Sequence, residues 1–408
     1  MATTGPRVAE VQIVIDLGFG DSGKGFTVDH LAGQDPERSL VIRFSGGHQV
    51  GHTVRRDHFH HTFSNFGSGT YYGVPTYYLP ETTIFPPGVL IERKRLRPIC
   101  PYSVMHPLVM VTTPWDIAYN RARETVLQHG SCGVGFGATV ERHLRGIGLF
   151  AKDLDCPFMI REKLRAIETH YIQRLANGPY AAAYQNEIAT IDREGFIQDC
   201  RQVRCYVEVA TPDQWDHVGL AGRDHLVFEG SQGILLDQVH GTFPHVTRAN
   251  TTCENAMGFL AAIGYKAPVD IHYVTRCYQT RHGNGPMSDT PAVTLIHNED
   301  EANVTNPYQG AFRTRALDPE LLRYALRTDA AFHQGSAVRK HLMVTCLDQL
   351  PEFDVTALLA ELEEFASVSV RRGAATDWKA QVYPQEKQRM AVSGARWQSP
   401  PSDSFENS

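Results

Sequence analysis

Apolar residues in this chain form short, nearly unbroken runs, each followed by glycine and polar residues. Two such runs, Val11–Leu17 and Ser39–Phe44, are rich in β-branched and aliphatic side chains, and a third lies at Leu226–Phe228. Runs without polar alternation are typical of strands that are buried on both faces of a sheet. Helical spacing follows the first run at Phe26–Leu31, and a helix is also predicted over Pro114–Gln128, where proline suits the first turn. Strands that alternate with helices are typical of an α/β protein.

Three further stretches are assigned from their patterns. Leu154–Leu175 has an apolar stripe that predicts an amphipathic helix packed on the core. Tyrosine and proline dominate residues 70–80, which predicts a loop over the sheet. The composition turns polar after residue 384, so residues 1–384 are predicted to form one domain and residues 385–408 a disordered tail. The members of the helical stripe are Phe158, Ile160, Leu164, Ile167, Tyr171 and Leu175.

Composition narrows the class of protein. The chain has 408 residues and a net charge of −6 with both signs interspersed, which argues against a nucleic-acid polymer as partner. Its apolar runs are shorter than a membrane span requires, and its first residues lack the pattern of a signal peptide. The eight cysteines follow no metal-binding or disulfide spacing, which indicates reduced thiols in a cytoplasmic protein.

The first strand ends in a glycine-rich loop, Gly18–Gly25, with the sequence GFGDSGKG. A strand, a glycine loop and a helix start, in this order, make a phosphate-binding cradle. The helix N-terminus has unpaired backbone N–H groups and a partial positive charge, and glycine lets an anion approach the backbone. The sequence therefore predicts a nucleotide-binding site at this loop.

Two general motifs match the loop incompletely. As G-x-G-x-x-G it resembles a dinucleotide fingerprint, but the second strand runs into SGGH at residues 45–48 and not into the acidic residue that holds a ribose. As G-x-x-x-x-G-K it resembles a P-loop, but Gly25 stands where a serine or threonine ligates Mg²⁺. An ordinary glycine turn with a surface aspartate at Asp21 is the third interpretation.

A second motif favours a different assignment. Arg43–Thr53 reads RFSGGHQVGHT. GDxGKG followed by RxxGGHxxGHT resembles adenylosuccinate synthetase, the purine ligase that couples aspartate to a nucleoside monophosphate. The resemblance implies a large, mostly parallel sheet flanked by helices and an active homodimer. It also implies that Asp21 is the general base and a Mg²⁺ ligand, that His52 is the partner acid, and that the Gly51 carbonyl is a second Mg²⁺ ligand.

The same resemblance assigns a donor-nucleotide site, in which Lys24 and the loop amides neutralise phosphate charge. Leu342–Leu350 resembles the family element TKLD that reads the donor base, with Asp348 retained and Cys346 in place of lysine. Residues 371–373 (RRG) stand where a serine-threonine-glycine-proline turn packs the same base. The residues expected to bind the donor are Gly20, Gly23, Lys24, Gly25, Gly51, Thr53, Cys346, Asp348 and Gly373.

Two further glycine-rich segments are assigned to the acceptor nucleotide. Gly130–Gly137 resembles the loop that holds the acceptor phosphate, and Phe228–Thr247 resembles the block FEGAQGxLLD…HGTYPYVT. Arg145 is the nearest counterpart of an arginine that reaches the substrate phosphate of the partner subunit. The residues expected to bind the acceptor are Ser22, Gln49, Ser131, Cys132, Arg145, Gln232, Leu236 and Thr247.

L-Aspartate is assigned to the segments Tyr273–Gly285 and Asn306–Asp318, which match the arginine-rich loop of the family. Guanidinium groups suit a dicarboxylate because they pair with carboxylates in a bidentate manner. The family clusters three arginines as R-P-R-R, whereas this chain has two, separated by Thr314. The residues expected to bind L-aspartate are Gln309, Gly310, Arg313 and Arg315.

Two departures from the family pattern indicate the acceptor. Ser22 replaces the glutamate of GDEGKG, which opens space near purine C2 and offers a hydroxyl oxygen to a 2-amino group. Gly310 or Ala311 stands where the family has an arginine that contacts the ribose 2′-hydroxyl. Together these changes predict dGMP, the acceptor of a phage-type branch that makes the precursor of 2-aminoadenine for viral DNA. The expected location is then the cytoplasm of the host.

Three hypotheses follow. The first is a ligase that joins L-aspartate to C6 of dGMP through a 6-phosphoryl intermediate, with ATP or dATP as donor. GTP is the less favoured donor because the lysine that reads guanine is lost and because a guanine donor would compete with a guanine acceptor. The second is an ordinary adenylosuccinate synthetase that uses IMP and GTP. The third is a nucleotide- or dinucleotide-binding protein without catalysis, which the retention of Asp21 and His52 argues against.

Overall fold

The computed structural model describes residues 6–56, 59–99, 101–127, 130–175, 178–296, 310–362, 365–371 and 381–383. The tail assigned to residues 385–408 lies outside these ranges. Within them, no helix combines the length and the apolar character that crossing a bilayer requires. The strands are β1 (Glu10–Asp16), β2 (Ser39–Arg43), β3 (His52–Arg56), β4 (Phe59–Phe63), β5 (Thr76–Tyr78), β6 (Thr83–Ile84), β7 (Ser103–Met105), β8 (Met110–Val111), β9 (Val207–Val209), β10 (His225–Glu229), β11 (Val269–Arg276), β12 (Tyr278–His282), β13 (Phe312–Ala316), β14 (Val338–Thr345), β15 (Ser367–Val370) and β16 (Gln381–Tyr383). The α-helices are α1 (Lys24–Ala32), α2 (Pro86–Arg95), α3 (Pro114–Leu127), α4 (Phe136–Leu144), α5 (Pro157–Leu175), α6 (Ala181–Ile188), α7 (Arg193–Arg204), α8 (Glu254–Ala262), α9 (Pro319–Ala330) and α10 (Val355–Glu361).

Ten of the described strands form one sheet, in the order β16-β15-β14-β11-β1-β10-β2-β5-β7-β9. Neighbouring strands run parallel except β15 and β16, which pair antiparallel. The first strand lies inside the sheet, so that Val14 pairs with Glu229 on one side and with His272 on the other. The predicted α/β class and the large, mostly parallel sheet are therefore confirmed.

β1 is buried because helices cover both faces of the sheet around it. Val11, Ile13 and Ile15 belong to an apolar cluster to which α8, α9 and α10 contribute. Val14 faces the other way and packs in a cluster with Val28 of α1. Side chains of a strand alternate between the faces, so a strand buried on both sides requires apolar residues at consecutive positions.

The predicted elements are confirmed with two corrections. The strands over residues 11–17, 39–44 and 226–228 correspond to β1, β2 and β10, and the helices correspond to α1, α3 and α5. The sequence predicts Phe158 in the buried stripe of α5, but its side chain is 67% exposed. It precedes Ile160 by two positions, a rotation of roughly 200° that puts it on the opposite side of the helix. The predicted loop over residues 70–80 is wrong in part, because Thr76–Tyr78 forms β5 inside the main sheet.

A buried ion pair joins α3, α4 and α5. Arg142 donates its Nε to Asp116 Oδ1 at 2.7 Å, and both side chains are 0% exposed. Tyr171 donates its hydroxyl to the same oxygen at 2.5 Å, while the N–H and hydroxyl of Thr113 donate to the other. Burial alone would raise the pKa of Asp116. The Arg142 charge and these hydrogen bonds lower the pKa by more than burial raises it, so the carboxylate is ionised. The network fixes three helices relative to one another.

Acid is expected to destabilise the fold through histidines that are buried in the neutral form. Burial lowers the pKa of His272 to about 3 and the pKa values of His48 and His143 to about 4, from an ordinary value of 6.5. Above pH 6.5 these imidazoles are neutral in both states. Below it the unfolded chain binds protons that the folded chain does not, so each histidine removes about 1.4 kcal/mol of unfolding free energy per pH unit.

Urea unfolding at pH 7.5, 6.0 and 5.0 measures this dependence. The unfolding free energy should fall between pH 6.5 and 5.0, and His272→Gln should show a shallower fall because it lacks one of the three groups. An unfolding free energy that stays constant over this range would contradict the prediction.

Candidate active site

A cavity of about 730 Å³ opens at the carboxyl ends of β1, β10, β11 and β14. Open parallel sheets bind ligands at this edge, where loops from neighbouring strands meet. The cavity brings together the two motifs of the N-terminal region and segments far along the chain. The predicted site residues that line it are Gly20, Asp21, Ser22, Gly23, Lys24, Gly25, Gln49, Gly51, His52, Thr53, Ser131, Cys132, Gln232, Leu236, Thr247, Cys346 and Asp348.

The glycines of the loop have distinct physical roles. Gly20 and Gly23 have φ angles of 96° and 101°, a conformation that L side chains rarely adopt. Gly25 is required by packing, because a Cβ there would lie 2.4 Å from the Cβ of His52. The position at which a P-loop has its magnesium-binding hydroxyl is therefore a close contact between α1 and β3.

Lys24 is paired with a carboxylate that the sequence analysis did not single out. Its Nζ lies 3.0 Å from Asp16 Oδ2, and the two side chains are 3% and 0% exposed. Asp16 also accepts the backbone N–H groups of Gly18 and Ser22. This aspartate at the end of β1 thus holds the loop in shape and compensates the charge of the lysine.

Ser22 is buried in the wall of the cavity. Its hydroxyl donates to the Gly20 carbonyl at 3.3 Å, and its own carbonyl accepts the Thr345 hydroxyl at 2.8 Å. Because the hydroxyl hydrogen is directed to Gly20, the oxygen retains lone pairs that can accept a hydrogen bond. A ligand in the cavity would meet an acceptor at this point.

Asp21 enters the cavity from a left-handed backbone conformation with a φ of 61°, which aspartate tolerates better than most residues. Its carbonyl accepts Arg276 Nε at 2.6 Å. Its carboxylate is 35% exposed and lies 3.6 Å from His282 Nε2. Arg276 and His282 lie in the matched segment Tyr273–Gly285, and no pattern in that segment assigns either residue to Asp21.

His52 is held by Glu229, a carboxylate at the end of β10. His52 Nδ1 lies 2.6 Å from Glu229 Oε1, and Ser68 donates its hydroxyl and N–H to the same carboxylate. Burial lowers the pKa of His52, and the Glu229 charge opposes this effect. Burial would raise the pKa of Glu229, but the charge and hydrogen bond of His52 lower it, so this carboxylate stays ionised. A carboxylate bonded to Nδ1 fixes the ring and stabilises the charge of an imidazole that donates from Nε2.

Two glutamine amides in the cavity wall lack partners among the described residues. Both polar atoms of Gln49 and the Oε1 of Gln232 are buried without a hydrogen bond. They line the cavity together with Leu236 and Thr247. A buried amide without a partner destabilises the protein unless a ligand or water satisfies it. These glutamines are therefore polar groups of the wall that the described residues leave unsatisfied.

Ser131 and Cys132 line the cavity ahead of the N-terminus of α4. Asn120 donates to Ser131 Oγ at 2.9 Å and accepts the Gly135 N–H at 3.0 Å, which ties the loop to α3. Burial raises the pKa of the Cys132 thiol to about 11, so the thiol is uncharged at neutral pH. A neutral hydroxyl and thiol beside a helix N-terminus suit an anionic group.

The turn after β14 forms another part of the wall. Cys346 has a φ of 61°, and Asp348 lies two residues further on. Arg371 is tied to the same turn, because its carbonyl accepts the Leu347 N–H at 3.1 Å. Its guanidinium lies 3.0 Å from the ring centroid of Phe26, and burial lowers its pKa to about 10. A cation stacked on an aromatic ring thus lines the region assigned to the donor base.

Apart from the two arginines of β13 described below, four predicted site residues lie away from the lining or outside the described ranges. Arg145 is half exposed and lies 3.7 Å from Glu141. Gly310 has a φ of 77° and is also outside the lining. Gln309 and Gly373 are not among the described residues. The roles of these four residues stay predictions.

The arginines assigned to L-aspartate lie on the hairpin of β12 and β13, beside the cavity and not in its lining. Arg313 Nη2 donates to the Gly285 carbonyl and Arg315 Nη1 to the Thr290 carbonyl, each at 2.6 Å. Arg281, the register partner of Arg313, does line the cavity. Burial and the charge of Arg313 lower the pKa of Arg281 to about 10, an arrangement that favours an anionic ligand. The role of Arg313 and Arg315 stays a prediction.

The metal-ligating groups of the cavity suit Mg²⁺ better than a metal whose ligands must all come from protein side chains. Among the described residues, no three histidine, cysteine or acidic side chains are grouped so that they could hold a metal ion. Mg²⁺ keeps several waters and is bound by one or two carboxylates together with substrate phosphates. The accessible Asp21 carboxylate, with Gly51 in the same lining, meets that requirement.

The chain matches a known family over most of its length. The family model described as adenylosuccinate synthetase matches residues 13–362. The adenylosuccinate synthetase 1 of Pseudoalteromonas translucida (strain TAC 125) is 31% identical over 292 residues, which are 67% of this chain and 63% of that protein. The adenylosuccinate synthetase of Dichelobacter nodosus (strain VCS1703A) is 30% identical over 380 residues, which are 88% of this chain and 82% of that protein.

Two solved structures share the fold. The fully ligated adenylosuccinate synthetase from Plasmodium falciparum superposes with a TM-score of 0.62 at 16% identity, covering 88% of this chain and 80% of that chain. The succinoaminodeoxyadenylate synthetase of cyanophage S-2L, bound to dGMP and to dATP as an energy donor, superposes with a TM-score of 0.60 at 17% identity. That match covers 96% of this chain and 100% of the other. At these identities the likeness shows the common fold.

Proposed function

The chain belongs to the adenylosuccinate synthetase family of carbon–nitrogen ligases, and we propose that its reaction joins L-aspartate to C6 of dGMP. The donor is ATP or dATP, and the products are N6-succino-2-amino-2′-deoxyadenylate, the nucleoside diphosphate and phosphate. The product is a precursor of 2-aminoadenine for DNA synthesis. A fold neighbour, the cyanophage S-2L enzyme, is solved with dGMP and dATP, which supports this choice of nucleotides.

The observation that carries the choice of acceptor is the state of Ser22. Its hydroxyl gives its hydrogen to Gly20 and so leaves an acceptor in the cavity wall. A 2-amino group on the purine is a donor that matches this oxygen, and hypoxanthine has none. A glutamate at this position would fill the space that the 2-amino group needs.

The residues supply acid–base chemistry for two steps. Asp21 accepts the N1 proton of the purine, which moves electron density to O6. O6 then bonds to the γ-phosphorus of the donor, whose bond to the bridging oxygen breaks. His52, stabilised by Glu229, donates a hydrogen bond to the charge on O6. In the second step the amine of L-aspartate bonds to C6, the C6–O6 bond breaks, and O6 leaves as phosphate, which takes up the proton that the amine loses.

Phosphate charge is met mainly by the backbone of the loop and the start of α1. Lys24 adds a positive charge that Asp16 holds at the base of the cradle. Mg²⁺, on which the family generally depends, stabilises the transferring phosphoryl group when bound, and Asp21 with the Gly51 carbonyl would hold it. The fit of this site rests on the accessible Asp21 carboxylate.

The donor base is assigned to the turn with Asp348 and to the stacked pair of Arg371 and Phe26. The Asp348 carboxylate suits the amino group of adenine, and a cation on an aromatic ring offers a flat surface to a base. The half-exposed Arg145 is assigned to the acceptor phosphate of the partner subunit in a homodimer. Arg281, Arg313 and Arg315, on the paired strands β12 and β13, are assigned to L-aspartate.

Phosphate release by the purified protein tests the proposal, with Mg²⁺, L-aspartate and ATP and with dGMP, GMP or IMP as acceptor. We expect turnover with dGMP, less with GMP and little with IMP. Ser22→Glu should reverse the preference, since it removes the space for the 2-amino group. The ratio of kcat/KM for dGMP to that for IMP should fall by a factor of about 10² to 10⁴.

Ser22→Ala is the matched control, because it keeps the space and removes only the acceptor oxygen. Its ratio should lie between those of the wild type and Ser22→Glu. The alternative function, an ordinary adenylosuccinate synthetase that uses IMP and GTP, is favoured by the activity named for the curated relatives. A wild-type preference for IMP would establish that alternative and refute the argument from Ser22.

A further inference from the structure

Two residues, one at the end of β11 and one at the end of β12, approach Asp21. The first contacts its backbone carbonyl and the second faces its carboxylate. Arg276, buried at the end of β11, donates its Nε to the Asp21 carbonyl at 2.6 Å. Its Nη1 donates to the Tyr278 hydroxyl at 2.6 Å, which fixes the guanidinium against β12. His282, at the far end of β12, has its Nε2 3.6 Å from the Asp21 carboxylate. The carbonyl and the carboxylate of one residue are thus approached by the same short stretch of chain.

The two ring nitrogens of His282 have different surroundings. Its Nδ1 is buried and has no hydrogen-bond partner among the described residues. A proton on Nε2 faces the Asp21 carboxylate, whereas a proton on Nδ1 has no acceptor among the described residues. The present distance of 3.6 Å exceeds a hydrogen bond, but contacts at catalytic groups commonly shorten when substrate fills the site.

Asp21 needs such support because its backbone conformation is uncommon. Its φ of 61° lies in the left-handed region, where a single residue other than glycine depends on its surroundings to hold it. Its side chain is 35% exposed and has freedom to rotate into the cavity. A donor on the carbonyl and a donor facing the carboxylate restrict the backbone and the side chain respectively.

We infer that Arg276 and His282 are positioning residues that hold Asp21 in the orientation its chemistry requires. Arg276 fixes the direction of the Asp21 carbonyl, and His282 faces one carboxylate oxygen and leaves the other for the purine N1 proton. The inference rests on the proposed function only for the role of Asp21 as base. It also links the hairpin assigned to L-aspartate directly to the group that prepares the acceptor.

Steady-state kinetics of His282→Leu, His282→Gln and Arg276→Met test the inference on whichever acceptor the wild type uses. His282→Leu and Arg276→Met should lower kcat roughly ten- to hundredfold, because a small displacement of a reacting group is costly. The KM for L-aspartate should change less than about twofold. His282→Gln should recover most of the rate, since its amide can donate from a similar position. Arg161→Met, which removes an exposed ion pair with Glu194 outside the cavity lining, is the control and should match the wild type.

A double-mutant cycle with Asp21→Asn completes the test. If His282 acts through Asp21, His282→Leu should have little further effect once the carboxylate is gone. A higher KM for L-aspartate at unchanged kcat would instead assign the two residues to substrate binding and overturn the inference, as would additive losses in the cycle. A wild type that prefers IMP refutes the proposed acceptor alone, whereas absence of phosphate release with every acceptor refutes both.

Discussion

Asp21→Asn is expected to lower kcat for phosphate release by about 10² to 10⁴ while the fold stays intact. The carboxylate accepts the purine N1 proton in the proposed first step, and an amide of the same shape cannot. Asparagine is the sharpest replacement because it also tolerates the left-handed φ of 61° at this position. Alanine would confuse lost chemistry with added backbone strain. Phosphate release at saturating substrates measures the effect.

The control for this substitution is an aspartate of the same chemistry outside the cavity. Asp155→Asn alters an exposed carboxylate that pairs with Arg204. It should leave kcat close to the wild-type value, and the unfolding temperatures of both variants should match the wild type. An Asp21→Asn protein that keeps more than about a tenth of the activity would contradict the assignment of Asp21 as general base.

Asp116→Asn is expected to lower the free energy of unfolding by about 3–5 kcal/mol. The substitution leaves the guanidinium of Arg142 buried among α3, α4 and α5 without its compensating charge. The hydroxyl of Tyr171 keeps an oxygen partner, but the amide NH2 of asparagine cannot accept the Thr113 N–H, so a buried hydrogen bond is lost together with the charge. Urea unfolding followed by far-UV circular dichroism measures the change in free energy.

An exposed ion pair provides the comparison for Asp116. Glu194→Gln breaks the contact with Arg161, whose side chain is exposed like that of Glu194, and should cost no more than about 1 kcal/mol. If Asp116→Asn cost as little as Glu194→Gln, the buried network would not be needed to hold the three helices together.

Features that depend on residues close together along the chain could be predicted from the sequence. The run Val11–Leu17 predicted a strand buried on both faces because its apolar side chains pack in clusters on both sides of the sheet. The glycines of GFGDSGKG predicted a tight approach of the backbone, and the structure finds that Gly25 is needed for contact with His52. The two motifs with Asp21 and His52 line one cavity, as their resemblance implied.

Features that depend on contacts across the sheet could not be read in the same way. Glu229 is a charged residue at the end of an apolar strand, which indicates a specific role. Only the fold shows that its carboxylate contacts His52. Asp16 looks like the polar end of a strand until the fold shows its contact with Lys24. Tyr77 and its neighbours have the β-propensity of aromatic residues, but the prolines around them led to the prediction of a loop in place of β5.

The strand order has a consequence for synthesis of the protein. β1 and its glycine loop leave the ribosome first, but both strands that pair with β1 follow much later, from His225 and Val269 onward. A nascent chain that ends before these strands has an apolar strand with unpaired edges and a His52 without its supporting carboxylate Glu229. Such long-range pairing folds slowly, and the unpaired edge is prone to aggregation. We therefore expect the growing polypeptide to need protection by a chaperone until translation has passed β11, and to gain its nucleotide site late in translation.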